Sequence, residues 1–103
     1  GHSERRAYHG ELDQRVAAKA LACLSAGLKP VVCVGESLAQ REEGSALTVI
    51  GSQLDEVLSV LEPSQLKNIV IAYEPVWAIG TGQTASPDQA QAVHAFIRSI
   101  NYL

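Results

Sequence analysis

An α/β fold of parallel strand–helix units is what this sequence predicts, and three observations carry the prediction. Two short apolar runs rich in β-branched residues, residues 30–34 and 68–73, read as strands. Amphipathic segments of helical period precede, separate and follow them. The segment between the two strands is long enough for a helical crossover, which parallel pairing demands and a hairpin does not. Such a crossover is expected to be right-handed.

The elements follow in order. Residues 11–26 predict a helix, because Leu12, Val16, Ala20 and Leu24 recur every fourth position with Ala frequent between them. Gly27 is its stop signal. Pro30-Val31-Val32-Cys33-Val34 is a continuous apolar run, the pattern of a strand covered on both faces, and Gly35-Glu36-Ser37 ends it. Residues 38–43 predict a short helical turn interrupted at Gly44. Residues 46–61 predict the second main helix, with Leu47, Ile50, Leu54, Val57 and Leu61 spaced by three and four until Pro63-Ser64 breaks it. The second strand is expected over residues 68–73. Ser86-Pro87-Asp88-Gln89 then starts a helix: Ser86 caps, Pro87 suits the first position, Asp88 favours the dipole and Gln89 completes a capping box. Val93, Phe96, Ile97 and Ile100 mark its apolar face. Residues 1–10 read as a loop.

Composition bounds the function. With 103 residues the chain has room for one small domain; 47% apolar and 18% charged residues make it globular. A net charge of −3, with no basic cluster beyond Arg5-Arg6, argues against nucleic acid or an anionic membrane surface as partner. No apolar run approaches the ~18 residues of a membrane span, and no secretory signal pattern is visible. Cys23 and Cys33, ten residues apart without a CxxC spacing, read as buried free thiols of a reducing, cytoplasmic compartment. The chain holds no Met and opens on Gly-His-Ser without a preceding element, the expected look of a segment of a longer protein.

The chemistry gathers at the strand ends. Gly1-His2-Ser3-Glu4, Gly35-Glu36-Ser37 and Tyr73-Glu74-Pro75 all stand where a strand finishes, observed or implied. In a parallel α/β barrel such ends converge on one face, and that face holds the active site. His2, Glu4, Glu36 and Glu74 are thus candidate neighbours. Glu36 has a second reading, as a cap or first-turn carboxylate of the helix that follows. Glu74 lacks that reading, because Pro75 and a long loop follow it. His9 and His94 sit in no motif and read as surface residues. The loop after Glu74 is apolar enough, in Val76, Trp77, Ala78 and Ile79, to expel water when folded over a ligand. Gly80 and Gly82 let backbone N–H groups approach an anion. It is neither a Walker nor a dinucleotide loop, since its glycines are spaced G-x-G and no helix starts directly after them.

Taken together, "GHSERR", "VGE", "AYEPVWAIGTG" and the helix start "TASPDQAQAVH" resemble the triosephosphate isomerase family, in order and over essentially the whole chain. The resemblance implies a partial (β/α)8 TIM barrel: about two complete parallel βα units plus one strand stub. Residues 1–103 would form a single segment of that domain, incomplete at both ends, from the end of its fourth strand through its sixth helix. It implies that His2 is the catalytic electrophile and Glu74 the catalytic base. Ser3 would hold the base at rest, and Glu4 would pair with an active-site lysine. Pro75, Val76, Trp77, Ala78, Ile79, Gly80, Thr81 and Gly82 would belong to a mobile lid running to Ala85, with the Gly80 N–H on the substrate phosphate.

The implied reaction interconverts dihydroxyacetone phosphate and glyceraldehyde 3-phosphate in glycolysis and gluconeogenesis, without cofactor or metal, in a cytoplasmic homodimer. The family's upstream lysine and asparagine and its later phosphate loops have no counterpart here, and Gln83 replaces the lysine common at the lid's far hinge. A truncated, non-catalytic βα module that folds or associates without turnover is the alternative, and the flanking DNA distinguishes the two.

Overall fold

Most apolar residues at helical spacing form the buried stripes that the sequence predicts, though Leu47 of the second main helix is 42% exposed. The structure, a computed structural model, describes residues 1–79 and 81–101, and of Ser3, Ala7, Tyr8 and Asn101 the backbone only. Helices α1 (Ser3–His9) and α2 (Asp13–Ser25) precede strand β1 (Val31–Val34). Helices α3 (Leu38–Glu42) and α4 (Ala46–Leu58) form the crossover. A 3₁₀ helix (Pro63–Asn68) leads into strand β2 (Val70–Tyr73), and α5 (Pro87–Asn101) closes the described chain. The strands pair in parallel, Val31 opposite Val70 and Val34 opposite Tyr73.

The core lies where helices meet one face of this sheet. Ile50, Leu54 and Val57 of α4 are fully buried against Val16, Ala17 and Ala20 of α2, Val32 and Val34 of β1, and Val93 and Ile97 of α5. Burying each of the larger side chains contributes roughly 1.5–3 kcal/mol. Helix α2 stops as Gly27 predicts: its φ is 77°, its N–H donates to the Leu24 carbonyl, and Leu28 N–H donates to the Cys23 carbonyl at 2.8 Å. This is a complete Schellman closure, in which only glycine avoids the left-handed penalty. The start of α5 is also as predicted. Ser86 Oγ accepts the Gln89 N–H, and Gln89 Oε1 accepts the Ser86 N–H.

Five expectations need correction. Residues 1–10 are not all loop, because Ser3–His9 is helical; seven polar-rich residues show no apolar period, and the helix exists because both ends are tied down. Leu12 does not join the α2 stripe: it is the residue before the helix and 67% exposed. Helix α4 ends at Leu58 and not Leu61, the chain turning before Pro63. Asn68 belongs to the 3₁₀ helix, so β2 starts at Val70. Strand β1 is covered on one face only, with Val32 and Val34 buried but Val31 60% exposed.

Salt links fasten α1 to the rest. Arg6 pairs with Asp13 of α2, and its guanidinium also donates to the carbonyls of Gly1 (3.0 Å) and Cys33 (3.3 Å). Glu11, buried at the α1–α2 corner, takes Lys19, Arg5 and the Gly1 amino group. The Lys19 ammonium leads the donors that hold its carboxyl well below the usual range, against the opposing effect of burial.

The two-stranded sheet leaves the outer edge of each strand without a strand partner among the described residues, and Val31 and Val70 beside those edges are exposed. Unpaired edges flanked by apolar surface template association. Size-exclusion chromatography with light scattering on the isolated 103-residue chain should therefore give species larger than one chain at micromolar concentration. A monodisperse monomer would contradict this.

Candidate active site

Helix α1 and the end of β2 bring two candidate residues into contact. His2 caps α1: its Nδ1 accepts the Glu4 backbone N–H at 3.2 Å. That bond assigns the proton of the neutral ring to Nε2. Nε2 lies 3.2 Å from Glu74 Oε2, with the histidine half exposed and the carboxylate largely covered.

Glu74 owes its place to the strand register. Its N–H donates to the Val34 carbonyl at 2.9 Å, and Val76 N–H donates to the Glu36 carbonyl at 3.0 Å, so the parallel ladder runs on past both strands. The long loop expected after Glu74 opens with one 3₁₀ turn, Val76–Ala78, directly after Pro75. Ala78 N–H bonds to the Pro75 carbonyl at 3.0 Å. Further along, the Thr81 hydroxyl donates to the Trp77 carbonyl at 2.7 Å and Gln83 N–H donates to Thr81 Oγ1. Val76, Trp77 and Ala78 are half-buried and Ile79 is exposed.

Beside this pair lies a buried charge that sequence reasoning undervalued. Ser37, not Glu36, is the cap of α3, closing a capping box with Gln40. Glu36 therefore turns inward and is fully buried. Its carboxylate accepts the Tyr73 hydroxyl (2.8 and 3.1 Å), the Trp77 indole N–H (3.2 Å) and Arg41 Nε (2.6 Å). The Arg41 guanidinium carbon stands 5.9 Å from the Trp77 ring centre, within cation–π range. Burial pushes the Glu36 carboxyl up, but its own backbone N–H, Arg41, Tyr73 and Trp77 outweigh it and the net direction is down. Burial and the Glu36 charge together push the Tyr73 hydroxyl up to about 12. Cys33 is also raised, by burial first and the Glu74 charge second.

Of the other predicted residues, Glu4 is exposed in the first turn of α1, where the helix dipole favours a carboxylate. The Ser3 side chain and all of Gly80 lie outside the described residues. Cys23 and Cys33 are free, as expected, but half-buried and not fully buried. His9 and His94 are exposed, as expected, and His94 meets the Tyr73 ring edge-on at 6.3 Å. Among the described residues, no group of three His, Cys, Asp or Glu is placed to hold a metal ion, and no helix is long and apolar enough to cross a membrane.

Comparison with known proteins meets this geometry. The family model for triosephosphate isomerase matches residues 1–102. The triosephosphate isomerase of Cupriavidus necator is 66% identical over 98 residues, covering 95% of this chain and 40% of that protein. Those of Ralstonia nicotianae and Thiobacillus denitrificans are 63% and 61% identical over the same length, again covering 95% of this chain and 40% of theirs. The chain thus spans about 40% of the length of these curated relatives.

The Glu36 cluster gives a pH prediction. A carboxylate lowered in the folded chain contributes stability that is present above its unfolded value and lost as pH falls through the folded one. Trp77 is the sole tryptophan, so its fluorescence reports this cluster. Emission should hold steady from neutral pH down into the ordinary carboxylate range and shift only below that range. In Glu36→Ala, which strands three donors, it should be red-shifted already at pH 7. Identical emission from both chains at pH 7 would contradict the tether.

Proposed function

The chain belongs to the triosephosphate isomerase family, and from that premise we propose that it carries the proton-transfer half of the active site of an aldose–ketose isomerase acting on triose phosphates. The contact of His2 Nε2 with the Glu74 carboxylate at 3.2 Å carries the reading. A base and a hydrogen-bond donor stand side by side where β2 ends and α1 begins, and a run of apolar residues follows the base in sequence.

In this reading Glu74 removes a proton from the carbon beside the substrate carbonyl and returns it to the neighbouring carbon. Its carboxylate starts largely covered, and closure of residues 75–85 strips the remaining water, which makes it a stronger base. The Nε2–H of His2 donates to the carbonyl oxygen as it becomes an enediolate oxygen, stabilising charge that appears only on the way to the transition state. A neutral histidine acting as electrophile is the established arrangement of triosephosphate isomerases, as is loop closure over their substrate, and the Glu4 N–H bond to Nδ1 supports the tautomer it needs. The direct His2–Glu74 contact leaves no space between them. The pair must part by about 3 Å to admit a carbon at ~3–3.5 Å from the base. Ser3 as the resting partner of Glu74, Glu4 as the partner of an upstream lysine, and Gly80 as the phosphate donor complete the proposal.

No cofactor or metal is needed for this chemistry, and the proposed setting is a cytoplasmic homodimer in glycolysis and gluconeogenesis. The phosphate and lysine contacts would come from the remaining length of a parent chain of the relatives' size. A βα module without turnover is the second reading for the 103-residue chain by itself, because a barrel closes only with eight strands.

Three experiments test this. In the full-length parent, Glu74→Asp retracts the carboxylate by one methylene and should lower kcat about 100-fold, since misplacement near 1 Å costs that much; affinity for a phosphorylated analogue should change little. Turnover within threefold of wild type would refute the base assignment. His2→Gln should likewise lose most of its turnover while staying folded, and equal activity across the pH range would refute the electrophile. The isolated 103-residue chain should show no turnover of glyceraldehyde 3-phosphate above background, with its Glu74→Ala form as the control for host enzyme.

A further inference from the structure

Gly35, where β1 gives way to the site, is gripped by a side chain from the crossover helix. Gln53 of α4 is buried, 8% exposed. Its Oε1 accepts the Gly35 N–H at 2.9 Å, and its Nε2 donates to the Gly35 carbonyl at 3.1 Å. The ladder to β2 uses the carbonyls on either side, Val34 and Glu36, which accept from Glu74 and Val76. The N–H and C=O of Gly35 belong to the opposite side of the strand. A primary amide presents one donor and one acceptor together, as a neighbouring strand does, and so satisfies both. Left unpaired and buried, each would be destabilising.

The other side of Gly35 presses on Glu74. A Cβ at Gly35 would overlap the Glu74 carbonyl oxygen and lie 2.7 Å from its carbonyl carbon and 3.4 Å from Pro75 N. The backbone of Glu74 is therefore held at two points: its N–H on the Val34 carbonyl, and its carbonyl against the bare Cα of Gly35. Pro75 removes the freedom that would remain beyond it. On its other side Gly35 is bonded to the Gln53 amide.

We propose that Gln53 is a positioning residue for Glu74: its carboxamide fixes Gly35, and Gly35 fixes the backbone from which the carboxylate projects. Gln53 bonds to the backbone of Gly35, and its effect on Glu74 runs through the Gly35–Glu74 contact. This rests on the reading of Glu74 as the base. A residue of nearly the same volume without the amide, such as Met, fills the space and frees Gly35 to rotate.

The test uses the full-length parent, expressed in a host lacking its own isomerase. Gln53→Met should lower kcat about 10- to 100-fold with KM within twofold, the signature of a displaced catalytic group. In a Glu74→Ala background the same change should cost no further residual turnover, because there is no carboxylate left to misplace. Gln53→Glu keeps the acceptor for Gly35 N–H but loses the donor to its carbonyl, and should fall between; it takes the place of Gln53→Met if that variant does not fold. A kcat within twofold of wild type overturns the proposal. So does an equal proportional loss in both backgrounds, which is what a purely structural residue gives, and so does failure of both variants to fold. If Glu74→Ala abolishes turnover while Gln53→Met preserves it, this inference alone has failed. If Glu74→Ala preserves turnover, the base assignment has failed and this proposal falls with it.

Discussion

A carboxylate shut away from water must collect its donors from whatever the chain can bring, and Glu36 does so from three elements. Desolvating a lone carboxylate costs many kcal/mol. The Glu36 charge is met by Arg41 from α3, Tyr73 from β2 and Trp77 from the loop beyond. Each donor fixes a different part of the site. Arg41 holds the short helix α3 against the sheet. Tyr73 sits one residue before Glu74. Trp77 anchors the root of the apolar loop, and the guanidinium near its ring adds a second attraction. Removing the carboxylate would release all three at once, whereas removing any one donor would leave two.

The same logic recurs at the opposite end of the described chain. Glu11 is buried between α1 and α2 and is met by Lys19 and Arg5, both half exposed, and by the Gly1 amino group. Arg6 adds a bridge from α1 to Asp13 and to the Cys33 carbonyl of β1. A helix of seven residues is far too short to persist by propensity. Its ends are held by the His2 cap, the left-handed Gly10 and these ion pairs. His2 thereby reaches Glu74 from a braced helix terminus, a more exact platform than a free loop.

Apolar packing and polar placement divide the molecule between two faces. The helix face of the sheet carries the core, with Ile50, Leu54 and Val57 sealed completely. The strand ends carry Glu36 and Glu74, and the start of α1 brings His2 to Glu74. Gln53 links the two, since it grows from the same helix as Ile50 and Leu54 and ends on the Gly35 backbone. Shifting α4 along the sheet would therefore move the site as well as the core.

The sequence by itself determined the α/β class, the parallel order, the stop at Gly27, the capping box at Ser86 and the candidacy of Glu74 at the mouth of a buried strand. These rest on local rules: apolar period, β-branching, and the cap and turn preferences of single residues. It also offered His2, Glu4, Glu36 and Glu74 as neighbours, because strand ends of a parallel sheet share one face, and of these the fold puts His2 against Glu74 and leaves Glu4 exposed. What it could not weigh was partnership across distance. Glu36 bonds to Trp77 across 41 positions and Gln53 to Gly35 across 18, and nothing in the spacing of a Glu or a Gln reveals whether its donors will arrive. The helix at residues 3–9 escaped for a related reason, being held by ion pairs to Glu11 and Asp13 beyond its end and not by an apolar stripe. Only the tertiary structure decided these, because a buried polar group is stable or ruinous according to which distant residues the fold delivers to it.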